Sequence, residues 1–161
     1  KNEFFRKALD SYRKGLQVPG IEAKTKQSLE VYVKETEEIL AQGPYSQALK
    51  LVPTAGTDPA TARQNAPRAI QMFNQIIAQY PNTDIADLSI VQIGLSYEAM
   101  EQWEEATNAY ARLLKKYTDS KGNPIIPFSD NVVSAVEFAK GRRTQILSFQ
   151  AATKATKQSG R

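Results

Sequence analysis

Ala69-Ile70-Gln71-Met72-Phe73 and Ala106-Thr107-Asn108-Ala109-Tyr110 decide how this chain folds. Each is a small residue followed four positions later by an aromatic one, and seven positions beyond each aromatic stands a tyrosine, Tyr80 and Tyr117. The copies lie 37 residues apart, Ala69 to Ala106 and Phe73 to Tyr110. A period of that size with small and aromatic residues at constant offsets is the pattern of a stacked helix-turn-helix repeat. The small residue lets two helices approach closely, and the aromatic fills the seam one turn later.

The second copy resembles the tetratricopeptide repeat family. Ile90 stands where that family often has Trp, Ile93-Gly94 stands for its Leu-Gly, and Tyr97 matches its Tyr. Ala106, Tyr110 and Leu113 fit the second helix, and Trp103 takes the aromatic position in the turn. The first copy keeps the second helix only, in Ala69, Phe73, Ile76 and Pro81. The spacing exceeds the roughly 34 residues of such repeats, the extra residues falling after Pro81. That spacing, with helices ending in Tyr80-Pro-Asn-Thr and Tyr117-Thr-Asp-Ser, is similar to bacterial envelope members of the family. The resemblance implies an all-α, tetratricopeptide-like right-handed array of antiparallel helix pairs with irregular flanking helices. It also implies a scaffold or adaptor that binds a protein or peptide partner rather than an enzyme.

A chain of 161 residues buries about 70% of its extended-chain surface, enough for one core without staples. It has no cysteine and no histidine, which removes disulfides, the usual zinc ligands and the commonest general base at neutral pH. No cofactor and no metal site is expected. No stretch reaches the 18 or so apolar residues of a membrane span, so membrane attachment is expected only through an anchor outside this segment. The chain starts at Lys1 rather than Met, as an excised or processed segment would. The net charge of +4 is unevenly spread. No basic residue lies between Arg68 and Arg112, where Asp84, Asp87, Glu98, Glu101, Glu104 and Glu105 fall. No acidic residue follows Glu137, while Lys140, Arg142, Arg143, Lys154, Lys157 and Arg161 do.

Apolar periodicity predicts a helix over 3–17, stopped at Val18-Pro19-Gly20, and a second over 21–42, stopped at Gly43-Pro44. The second places Leu29, Tyr32, Val33, Thr36, Ile39 and Leu40 on one face. A short helix over 44–51, a loop from Pro53 to Pro59 and another short helix opened by Asp58-Pro59 follow. Repeat helices are expected at 66–80, with Pro67 near the start, and at 84–100 and 102–117. The loop 118–129 leads to a last helix, 130–151, with Val132, Ala135, Val136, Ala139, Ile146 and Leu147 along one stripe. Residues 153–161 read as a frayed basic tail. The resulting division is 1–63 irregular helices, 64–120 repeats, 121–152 packing helix and 153–161 tail, all one structural domain.

Helix 84–100 is apolar on two sides. Ile90, Ile93, Gly94 and Tyr97 form the seam, and Leu88, Val91 and Leu95 lie opposite, facing the groove. A helix apolar all round is buried all round, so either the chain's own last helix or a partner segment or second subunit must cover that face. Leu88, Val91 and Leu95 are therefore the candidate partner-binding residues, with Glu98 setting orientation and Arg142 and Arg143 forming a basic end that steers acidic partners. Chemical sites are poorly supported. Gly94-Leu95-Ser96 lacks the second glycine of a nucleophile elbow, since residue 98 is Glu, and no phosphate-binding glycine motif occurs. Glu98, Glu101 and Glu105 at i, i+3 and i+7 read as a solvated acidic face. The net charge is small for a nucleic-acid binder. The peptide-carboxylate clamp of some family members does not carry over, because the matching positions are apolar. A self-assembly module, stacking head to tail through the acidic middle and the basic end, is the alternative function. If the repeat register is right, Ala106→Leu overpacks the seam and lowers stability by roughly 1–3 kcal/mol in thermal unfolding.

Overall fold

The structure, a computed structural model, describes residues 2–53, 57–127 and 129–159. Among them are six helices: α1 (Asn2–Leu16), α2 (Ala23–Leu49), α3 (Pro59–Gln79), α4 (Asp84–Ala99), α5 (Trp103–Lys116) and α6 (Asp130–Ser159). The chain is all-α, a tetratricopeptide-like array of antiparallel pairs. Apart from the helices, the described residues contain one isolated bridge, Thr118 to Pro124, in the loop before α6. Of the loop expected from Pro53 to Pro59, residues 54–56 lie outside the described residues.

Three predicted boundaries are corrected, and packing across the breaker residue explains two of them. Gly43-Pro44 does not end α2, which runs on to Leu49. Pro44 removes one helical N–H, but Ala41, Tyr45 and Ala48 continue a single face into the core, and Tyr45 lies 5.7 Å from Phe73, ring centre to ring centre. Pro67 likewise sits inside α3 rather than near the start of a helix. The predicted pair of helices is one, because Ala62, Ala66, Ala69, Ile70, Phe73 and Ile76 bury an unbroken stripe. Asp58 caps its start, its side chain accepting from the amides of Ala60 (2.9 Å) and Thr61 (3.1 Å). The tail expected to fray from 153 is helical to Ser159, while residues 160–161 lie outside the described residues. On α2 the buried face centres on Thr36, Glu37, Leu40 and Ala41, leaving Tyr32 and Ile39 exposed. Buried Glu37 is neutralised by Arg13 of α1 at 2.6 Å.

The core has two parts. Phe73, Ile76, Ala69 and Ile70 of α3 pack with Ala41 and Ala48 of α2 and Ile85 and Ile93 of α4. Ala106, Tyr110 and Leu113 of α5 pack with Ile90 and Val91 of α4 and Ala135, Ala139 and Ile146 of α6. Tyr97 and Ile77 touch both parts, so the aromatic seam is two seams joined at α4. Full burial of each such side chain contributes about 1.5–3 kcal/mol.

Gly94 sets the spacing of α4 and α5. A β-carbon there would stand 2.6 Å from Cζ of Tyr110, inside van der Waals contact with a ring that is itself fully buried. Helix α4 ends with Glu101 at φ 59°, where the Gln102 amide donates to Tyr97 O and the Glu101 amide to Glu98 O, each at 2.9 Å. This 6→1 and 5→2 pairing closes the helix and turns the chain back into α5. Gly94→Ala must push Tyr110 outward or spread the two helices. We expect a loss of about 1–3 kcal/mol, read as a lower midpoint in denaturant with unchanged helical circular dichroism; an unaltered midpoint would mean that the close approach is absent in solution.

Candidate functional site

Helices α2, α4 and α6 approach one another in succession, whereas the backbones of α3 and α5 stand farther apart. The array therefore curves, with α2, α4 and α6 on its inner side. Between α3 and α5 this leaves a cavity of about 290 Å³ that Tyr97, Glu105 and Arg112 help to line. On the inner side a groove of about 570 Å³ runs between α2, the start of α4 and the first turn of α6.

That groove is built by a short chain of interactions. Thr83 caps α4, its hydroxyl accepting from the Ala86 amide at 3.1 Å. Two further free amides of α4, Asp84 and Ile85, donate to the Glu38 carboxylate of α2 at 2.9 and 3.1 Å. Burial raises the Glu38 carboxyl above its usual value, against the opposing pull of those two amides. Lys34, one turn earlier, pairs with Asp84 at 3.2 Å. Val31, Glu35 and Gln42 complete the α2 wall, Ile85 and Leu88 supply apolar surface from α4, and Asn131 closes the α6 end. Among the described residues Glu35 is in no ion pair. The groove thus offers apolar surface beside a spare carboxylate.

The residues singled out from sequence are dispersed. Leu88 lines the groove. Val91 is only 7% exposed and packs in the cluster that α6 completes; Leu95 packs against the same cluster. Of the two coverings open at the sequence level, the chain's own last helix is the one seen here. Glu98 does not face solvent with Glu101 and Glu105. It ends on α4, its side chain 9% exposed, while Glu101 lies in the turn and Glu105 on α5. Tyr110 donates to Glu98 at 2.6 Å, and Arg142 of α6 donates to it through both Nε, at 3.2 Å, and a terminal guanidinium nitrogen. The acidic middle and the basic end therefore meet inside one chain, and Glu98 and Arg142 are each other's partners. Arg143 is partly buried, its Nε without a hydrogen-bond partner.

The sequence carries no signal for the α2 wall, since α2 lies outside the repeat pattern and reads as an irregular flank rather than an inner helix. Val31, Lys34, Glu38 and Gln42 do follow a helical stripe, but they are mostly polar and carry no apolar signal. Nor does the sequence signal the burial of a second acid of α4, Asp87, which accepts from Lys116 and from the Tyr117 hydroxyl, both at 2.6 Å. Asp87 and Glu98 stand 11 residues apart on α4 and so share one side, each meeting a tyrosine of α5 or its C-cap.

These contacts have a consequence at high pH. Burial first, and the carboxylate each one meets second, raise the hydroxyls of Tyr110 and Tyr117 well above the ordinary tyrosine value. The unfolded chain ionises them near pH 10, so their contribution is fully present below that and is lost progressively as pH rises above it toward the higher folded values. Part of the tyrosinate absorbance should accordingly appear only together with loss of helical circular dichroism. Tyr110→Phe should weaken that alkaline sensitivity. Ionisation of all tyrosines before unfolding would contradict the hydroxyl–carboxylate contacts.

Comparison with protein families gives a match to the tetratricopeptide repeat model over residues 60–83 and 89–120, that is, over α3 and its turn and over most of α4 through α5. Neither the curated proteins nor the solved structures gave a match. Gly94, Ala106 and Tyr110, which pack at the seam between α4 and α5, fall inside the second matched segment, and residues 60–83 and 89–120 are similar to tetratricopeptide repeats.

Proposed function

We propose that this protein is a non-enzymatic interaction module whose inner groove takes an apolar side chain of a partner segment flanked by a basic residue. Tetratricopeptide repeats generally mediate protein–protein interaction, which supports the class. One observation carries the specific reading: Leu88, Ile85 and Val31 share a groove with Glu35, whose carboxylate is unspent, while Glu38 and Asp84 are held within the fold. Of the four candidate residues, Leu88 would touch the partner. Val91, Leu95 and Glu98 would act by seating α6 and so shaping the groove's far end. Recognition of an apolar anchor with one charge beside it fits an extended or helical peptide. In keeping with the resemblance to envelope members, the partner would be a bacterial envelope protein. Head-to-tail stacking, the alternative, would have to use groups other than Glu98 and Arg142, which already pair within the chain.

The test is binding of synthetic peptides centred on Leu-Lys or Leu-Arg, followed by fluorescence anisotropy. Leu88→Glu and Glu35→Lys should each weaken the best binder about tenfold, or about 1.4 kcal/mol, with circular dichroism unchanged. Because Glu35 is exposed, the association rate should fall with added salt. Equal binding by both folded variants, or no binding by any apolar-basic peptide, would dismiss the groove as the site.

A further inference from the structure

The last part of α6 leaves the array. Among its described side chains the last buried one is Ile146, and every side chain from Ala151 to Thr156 is exposed although the helix continues to Ser159. Where it departs, two large apolar side chains face solvent: Phe149, 69% exposed, and Trp103 at the start of α5, 37% exposed. Clefts of about 310 and 570 Å³ adjoin this pair, both lined by Trp103 and Phe149. The larger is flanked by Glu104 on one side and Lys154 on the other. Neither charge is in an ion pair among the described residues.

We infer that this surface binds a second copy of the same chain, two α6 helices crossing antiparallel near Ala152. A two-fold interface uses one patch twice, so the patch must hold both members of every contact it makes. This one does. Under the two-fold, Glu104 of one copy meets Lys154 of the other and Lys154 meets Glu104. Each Phe149 enters the cleft beside the other copy's Trp103. Ala151, Ala152 and Ala155 lack long side chains that would hold the helices apart at the crossing. A partner of a single charge sign would leave one of the two flanking charges desolvated and unpaired, whereas a second copy satisfies both. The side chains from Ala151 to Thr156 lie exposed beyond the last buried position of α6, and an isolated helix of a few turns is marginal in water. This surface is separate from the groove between α2 and α4, so the inference stands apart from the peptide-binding proposal.

The experiment is light scattering on sized fractions across a concentration series. The wild-type mass should rise from that of one chain to that of two. Phe149→Glu changes an exposed residue and should hold the chain at one. Glu104→Lys and Lys154→Glu each place like charges opposite one another and should also give single chains. Mixed in equal amounts, those two variants should recover the doubled mass, because each mixed pair regains both opposite-charge contacts. Circular dichroism confirms that each variant is folded. A wild type that stays a single chain at every concentration, a doubled mass that survives Phe149→Glu, or a mixture that fails to recover would each overturn the inference. Peptide binding by the Phe149→Glu variant should be unaffected, which separates failure here from failure of the groove.

Discussion

Tyr110 packed against the bare backbone of Gly94 is the constraint on which the rest of the structure depends. The ring occupies the space a side chain at 94 would need, so α5 packs closer to α4 than it could over any residue with a β-carbon there. That approach delivers the Tyr110 hydroxyl to Glu98, and Glu98 in turn reaches Arg142 of α6. Three helices are thereby joined by one aromatic side chain, its apolar body in the core and its polar tip on a carboxylate. Loosening the ring would take one donor from a mostly buried carboxylate and leave Arg142 alone to satisfy it.

The same logic recurs at the other end of α4. Asp87, almost fully buried, is satisfied by Lys116 and Tyr117. The N-terminal amides of α4 are satisfied by Thr83 from its own turn and by Glu38 from α2. Helix α4 is thus tied to α2 by its start, to α5 by both ends and to α6 by its last turn. Apolar burial supplies the stabilisation, and these polar ties fix orientation, since a half-satisfied buried network is worse than none. The inner groove is a by-product of those ties: the residues that anchor α4 to α2 are also its walls.

Much of this was legible in the residue order. The repeat, the close-packed Gly94 and Ala106, the boundaries of α4 and α5 and the second apolar side of α4 follow from spacing, because a helix places i, i+4 and i+7 on one side wherever it occurs. Breaker residues misled for a definite reason. The local cost of Pro44 or Pro67 inside a helix is a few kcal/mol, and a stripe of core residues on both sides of the proline offsets it. The charge pattern was legible as an acidic middle and a basic end. Which groups within it are buried was not, because Glu98 and Glu101 differ only in whether the chain has already turned, at a left-handed Glu101 that no glycine announces.

What the amino-acid order determined by itself is local and periodic: the helical stretches of α1, α4, α5 and α6 in outline, an all-α stacked array, and the absence of histidine and cysteine chemistry. What only the tertiary structure decided is which surfaces remain available. Val91 is covered because α6 folds back along α4 and α5, Leu88 stays at the groove because α6 begins beside it, and Phe149 is bare because α6 outruns α5. Side-chain spacing tells which residues share a face of one helix. Whether that face meets another helix depends on the lengths and crossing of elements far apart in the chain, and no local pattern encodes that.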